Sequence, residues 1–261
     1  MSSGSGRPLS RSLRKGLRWA ALAVLALVVW GTVVFVPLPS IVLLRFRPPR
    51  TTAFIELRKA KLRAAGKPDA VARTPVPLAA VSPSLVRAVL AAEDSRFYLH
   101  HGIDWDAVQE AREYNRAQLG RKRPKVRGAS TITQQLAKNL YLSPDRSVLR
   151  KAREAAIAMS MELLLPKERI LEHYLSAAEW GETVYGCEAA ARHYFGIPCR
   201  SLGPAQAAWL AAMLPGPAWY RARPAVHERR AARIAARAAR EMPPLAPFPA
   251  EPEGADEPPA R

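Results

Sequence analysis

The sequence predicts a mostly α-helical domain preceded by one membrane-spanning helix, and three observations carry that expectation. Helix formers dominate beyond the first fifty residues, while the apolar–polar alternation of half-buried strands is scarce. Residues Trp19 to Val36 are almost wholly apolar, inside a charge-free stretch reaching Leu44, which is long enough to cross a bilayer as a helix. The 261 residues are 49% hydrophobic, enough for one sizeable core and too apolar for a disordered chain.

In chain order, residues 1–18 form a basic tail with Arg7, Arg11, Arg14, Lys15, Arg18 and no acid. Such a tail stays cytoplasmic, which makes residues 19–38 a single-pass inner-membrane anchor and places the rest of the chain on the outer side. A cleavable signal peptide is the alternative; the length of the run and the lack of an A-x-A site favour the anchor. Pro37 and Pro39 end the span. Residues 41–60 mix Ile41, Leu43, Phe46 and Phe54 with Arg45, Arg47, Arg50 and Arg58, a blend suited to a lipid–water interface or to a buried first segment of the domain. Residues 61–81 read as a loop around Gly66-Lys67-Pro68-Asp69.

Ser82-Pro83 opens a helix whose stripe of Leu85, Val86, Val89 and Leu90 runs into Glu93-Asp94. Residues 120–128 place five cations between two glycines, a basic loop. Thr131 followed by Gln134 matches a capping box, with Ile132, Leu136 and Leu140 on one face of the helix it starts and Gln134 and Lys138 on another. Ser143-Pro144 is expected to start a helix to about Leu164, and Pro166 another through Leu175. Trp180-Gly181 marks a loop. Helices are expected over 188–194, 205–214 and 228–241, and residues 243–261 form a proline-rich acidic tail read as disordered. The domain proper spans 39–242.

A formal charge of +18 points to an anionic partner: nucleic acid, anionic lipid or a phosphorylated substrate. No helix-turn-helix, zinc-finger or aromatic RNA-binding signature accompanies it, so nucleic acid is not expected. Glu93, beside apolar packing, has the setting of a general base, or else it pairs with Arg96 and its neighbours. Glu154 is a second acid or a plain pair with Arg150 four residues earlier. Two separated carboxylates with a cation cluster suit sugar transfer from a phosphorylated donor. A metal on His100 and His101 is disfavoured, since adjacent histidines diverge on a helix. Cys187 and Cys199 form one bridge or remain two unrelated thiols, and the second reading is favoured.

These residues reach a known family. Glu93-Asp94-x-x-Phe97-x-x-His100-x-Gly102 resembles the first motif of the peptidoglycan glycosyltransferases (glycosyltransferase family 51), which include the glycosyltransferase domain of class A penicillin-binding proteins. Gly128-x-Ser130-Thr131-Ile132-Thr133-Gln134-Gln135-x-x-Lys138-Asn139 resembles the second, and Arg150-Lys151-x-x-Glu154 the third. Glu168-x-Ile170-Leu171-Glu172-x-Tyr174-Leu175 with Trp180-Gly181 resembles the fourth, and the stretch from Ala205 with Arg229-Arg230 the fifth. The likeness covers roughly residues 47–240, with Ser176 where the family has asparagine.

The resemblance implies a lysozyme-like helical fold with a small membrane-touching subdomain, and polymerisation of lipid II into β-1,4-linked glycan with release of undecaprenyl pyrophosphate. It implies Glu93 as the base, Glu154 as a second essential acid, Lys138 and Arg146 on the pyrophosphate, and Ser130, Gln134 and Gln135 on the donor side. Asp94, His100 and Arg150 join the substrate-binding set. A divalent Mg or Mn, with Glu154 as a ligand, is a further expectation. Expected partners are lipid II, the growing glycan, membrane lipid and other cell-wall or division proteins. The chain is expected to be the monofunctional type, since it ends before the transpeptidase domain, with its S-x-x-K and K-T-G motifs, into which the bifunctional relatives continue. The alternatives are a lysozyme-like glycan-cleaving enzyme, in which the cation set would have no diphosphate to hold, and a non-enzymatic basic membrane-anchored binding domain.

Overall fold

A computed structural model describes Lys15, residues 18–20, Leu22, and residues 37–121, 126–145 and 147–241. Most of the expected basic tail at 1–18 and membrane helix at 19–38 lies outside the described residues. So do the acidic tail at 243–261, the middle of the basic loop and Arg146. Among the described residues no helix is long and apolar enough to cross a membrane.

Past Pro37 the described residues form a short helix, α1 (Leu38–Leu43). Pro39 lies in its first turn, where a missing N–H costs no hydrogen bond. Ile41 and Leu44 are buried in the core, while Val42, Leu43 and Phe46 stay exposed. The Leu44 carbonyl accepts from Arg169 Nε at 2.9 Å and His173 Nε2 at 2.7 Å. Burial holds the His173 pKa down at about 4, so the ring is neutral and donates. This clamp ties the first segment to the rest of the domain.

α2 (Ala53–Ala64), capped by Thr52, extends into the stretch expected to be a loop and stops before Gly66. Gly66 adopts φ +65, a conformation that glycine takes without steric cost. Strand β1 (Ala72–Arg73) then pairs in parallel with β2 (Val184–Tyr185), a contact between segments about 110 residues apart that local patterning could not announce.

α3 (Pro83–Glu93) has its expected Ser82 cap. α4 (Trp105–Ala117) was not foreseen: it buries only Ala111 and has no apolar stripe, although Asp104 caps it. α5 (Ile132–Tyr141) carries the capping box as expected. α6 (Val148–Leu164) starts at Ser147 instead of Ser143. The Ser143 hydroxyl is turned to Asp145, while Ser147 Oγ accepts from the Arg150 amide.

α7 (Lys167–Ala177) follows Pro166. α8 (Cys187–Phe195) and α9 (Pro204–Met213) fall within two residues of expectation. A short α10 (Pro217–Arg221) precedes α11 (Pro224–Glu241), which begins four residues before the expected start at 228.

Two packed groups result. α9 lies against α3 and α11, while α5 lies against α6 and α7; α1 rests on α6 and α2 on α5. Trp180, Tyr174, Tyr185 and Phe97 are among the largest side chains wholly inside. The last turn of α3 brings Glu93 to the first turns of α5, where the two groups face each other.

Candidate active site

Glu93 is the last residue of α3, at the end of an apolar helix whose neighbours Leu90 and Ala91 are buried. Only 10% of its side chain is exposed. Its Oε2 accepts from Gln135 Nε2 at 3.0 Å, and its Oε1 from Arg230 Nη2 at 3.1 Å. Tyr174, itself buried, donates from its hydroxyl to Gln135 Oε1 at 3.0 Å, which fixes the amide so that its nitrogen faces the acid. Burial raises the Glu93 pKa above the ordinary carboxylate value, and Gln135 and Arg230 offset this only in part. The expected alternative, an ion pair with Arg96, does not form: Arg96 pairs with Asp104 and Asp106.

Asp94 lines the cleft beside Glu93, and its carboxylate is engaged by His100 and the start of α5. Asp94 accepts from the His100 ring at 3.0 Å and from the Ile132 amide at 2.9 Å, and both side chains are buried. The pair fastens the end of α3 to the first turn of α5. A carboxylate at a helix N-terminus also matches the positive end of the helix dipole. The Thr131 hydroxyl donates to Gly102 O at 2.6 Å, a second clasp on the same turn. Gly102, at φ +92, lies so close to the backbone of Ala158 and Met159 that a Cβ would stand 3.2 Å from them.

Gln134 is likewise turned inward. Its side chain accepts from the Thr131 amide, closing the capping box, so it shapes the helix start. Gln135 is the carboxamide that reaches the acid. Ser130 is exposed on the approach to α5 and accepts from Lys151 Nζ at 2.9 Å.

Glu154 sits on the other side. Its side chain is 3% exposed and held by two cations of its own helix, Arg150 Nη1 at 2.6 Å and Lys151 Nζ in a short contact. The pairing with Arg150, four residues earlier, is the expected one; Lys151, three residues earlier on the same helix, joins it. Lys138 of α5 belongs to the same cluster: burial lowers its pKa, and the charges it senses are Glu154, Arg150, Lys151 and Glu93. Its ammonium also lies 5.6 Å from the centre of the Phe54 ring.

On the Glu93 side a cleft of about 480 Å³ is lined by Glu93, Asp94, Ser95, Arg96, Ser130 and Arg230, among others. The Glu93 surroundings are mixed in charge, and the Glu154 side is cationic. Among the described residues no group of three His, Cys, Asp or Glu could hold a metal ion. Both Glu154 oxygens are engaged by cations, so the protein does not fit a resident metal there.

Two functional partners of Glu93 were not legible from the sequence. Arg230 comes from 137 residues away and Tyr174 acts through Gln135 from 39 away. The only available signal was their place within the later motif-like runs.

Comparison with known proteins shows the family. A family model described as Transglycosylase matches residues 59–242. A protein of Bordetella pertussis named biosynthetic peptidoglycan transglycosylase is 50% identical over 175 residues, 67% of this chain and 72% of that protein. One of Azoarcus with the same name is 49% identical over 208 residues, 78% of this chain and 87% of the relative. One of Rhodospirillum centenum, also so named, is 49% identical over 197 residues, covering 75% and 81%.

Proposed function

Because the chain belongs to the transglycosylase family and is a peptidoglycan glycosyltransferase of cell wall biosynthesis, we propose a division of labour among its residues in the joining of lipid II to a growing glycan strand. Glu93 is the general base. Its carboxylate takes the proton from the 4-hydroxyl of the acceptor N-acetylglucosamine as that oxygen attacks C1 of the donor N-acetylmuramic acid. The bond to the diphosphate breaks on the opposite face, so the α-linked donor becomes a β-1,4 link and undecaprenyl pyrophosphate leaves.

The single observation that carries this is the setting of Glu93: buried and raised in pKa, with one oxygen on Gln135 and the other on Arg230, opposite a cationic cluster. A base works best with a pKa near the operating pH, and burial moves Glu93 that way. Arg230 keeps enough of it ionised to accept a proton.

Lys138, Arg150 and Lys151 take up the charge that grows on the departing diphosphate. Arg146, outside the described residues, joins this set by its match to the family's pyrophosphate-binding cations. Glu154 is a positioning residue here: its two ion pairs hold Arg150 and Lys151 in place. Ser130 lies at the donor entrance, and Asp94, His100 and Gln134 fix the first turn of α5. A divalent Mg or Mn ion fits this reading only as a companion of the diphosphate, and no step needs it.

The apolar run at residues 19–38, with the basic residues before it, supports a single-pass anchor in the inner membrane and a domain on the outer side. The exposed Val42, Leu43 and Phe46 just beyond it suit the lipid interface. The substrate is itself membrane-bound, so this placement keeps the cleft near its supply. Other cell-wall or division proteins are partners by the same placement.

The test is incubation of the purified full chain with labelled lipid II, with and without a chelator. Polymer should form in the wild-type chain and vanish in Glu93→Gln. Polymerisation at the wild-type rate by Glu93→Gln would overturn the assignment of the base, and loss of polymer on chelation would overturn the minor role given to metal.

A further inference from the structure

Cys187 and Cys199 take no part in the site, yet the fold brings their sulfurs to 3.6 Å, with both side chains wholly buried. Cys187 opens α8, and Cys199 opens the 3₁₀ turn Cys199–Ser201. Cys199 is held from several directions. Its amide donates to Glu188 Oε2 at 2.8 Å, its thiol lies 3.4 Å from the Ala80 carbonyl, and its own carbonyl accepts from the Ser82 amide at 3.3 Å. Ser82 caps α3 and donates its hydroxyl to Leu202 O at 2.6 Å. The cysteine pair therefore stands at the base of the helix whose far end is Glu93.

We infer that Cys187 and Cys199 form a structural disulfide in the mature enzyme. Two thiols in van der Waals contact need only small side-chain rotations to reach bonding distance. The inference rests on the reading that the domain lies outside the cytoplasm, where disulfides form and persist. One cysteine thiolate attacks a disulfide of the thiol-oxidoreductase class, forming a mixed disulfide and expelling one thiolate. The second cysteine thiolate attacks that cysteine sulfur and expels the other. Two electrons pass to the donor's sulfur pair, which leaves as a dithiol carrying two protons. Contact with Cys187 and burial push the Cys199 thiol up, so the exchange belongs to folding, before the core closes. The bridge closes a loop of about a dozen residues, which restricts the unfolded chain and steadies the α3 base.

The experiment is alkylation of the full chain in denaturant, after expression through its own N-terminal segment and purification without reductant. The expected result is no alkylated cysteine and an intact mass about 2 Da below the dithiol form, with both cysteines labelled after reduction. Reduction should lower Tm by about 5–10 °C, while Cys187→Ala/Cys199→Ala should show no response to reductant. Alkylation of either cysteine before reduction overturns the proposal. An unchanged Tm on reduction overturns the bracing role. If the cellular protein is reduced, refolding in a glutathione buffer separates the causes. A bridge formed there faults the placement of the domain, and none faults the geometry.

Discussion

Glu93 and Glu154 are the same residue type, nearly equally hidden, and are held in different ways. Glu93 stands at the end of an apolar helix with a neutral amide on one oxygen and a guanidinium from a distant helix on the other. Glu154 stands within a helix and is gripped by two cations of that helix, three and four residues away. The first environment raises the pKa and leaves a carboxylate able to take a proton. The second makes the acid a counterion for both cations. In one protein, burial without full pairing gives an acid the setting of a base, and burial with double pairing makes a fixture for two cations.

The largest expected effect breaks the first half of this comparison. Glu93→Gln keeps the shape and the Gln135 contact but removes the proton acceptor, so lipid II turnover should fall by about 10³-fold or more. Its stability should move the other way. The folded-state pKa of Glu93 lies above its unfolded value, so ionising it costs stability as pH rises from the unfolded pKa through the folded one. Glu93→Gln should therefore match the wild-type Tm in acid and exceed it at neutral pH. A variant equally active, or less stable at about pH 8, would show that Glu93 is an ordinary structural acid.

Glu154→Gln attacks the other half. It leaves Arg150 and Lys151 without their counterion, so Tm should fall by several degrees and turnover by on the order of 10²-fold. Opposite signs of the Tm change at positions 93 and 154 are the sharpest form of the comparison; the same sign at both would collapse it. Lys138→Ala comes next, with an expected loss of roughly 10- to 100-fold in kcat/KM and little change in Tm, since burial already disfavours its charge in the empty protein. A variant that melts early and polymerises normally would return Lys138 to a structural role.

How much of this was legible varied with sequence distance. The helix at α5 was announced by Thr131 and Gln134, because a capping box is closed within four residues. Glu93 was legible from the apolar stripe leading to it, and the Arg150–Glu154 pair from helical spacing. Gln134 folds back onto Thr131, as the capping box requires, so that part of its place is local and legible. The bonds of Asp94 to His100 and to the Ile132 amide, 38 residues away, are not legible from local spacing. α4 was missed because a helix lying on the surface with one buried residue leaves no stripe. Arg230 could not be paired with Glu93 from the chain alone, since nothing local distinguishes it from the other arginines of α11.

Arg230 also gives the smallest and most specific prediction. Its guanidinium lies 3.1 Å from Glu93 and lowers the acid's pKa against the larger upward push of burial. Arg230→Gln removes that cation, so the pKa of Glu93 should rise further. A base must be deprotonated to act, so the acidic limb of the kcat/KM profile should shift to higher pH. Activity should be lost most at the acidic end and recover as pH rises. Arg230→Lys keeps a charge without the guanidinium fork and should restore part of the limb. A merely structural role for Arg230 would lower activity by one factor at every pH, and a profile of unchanged shape would place Arg230 outside the chemistry of the base.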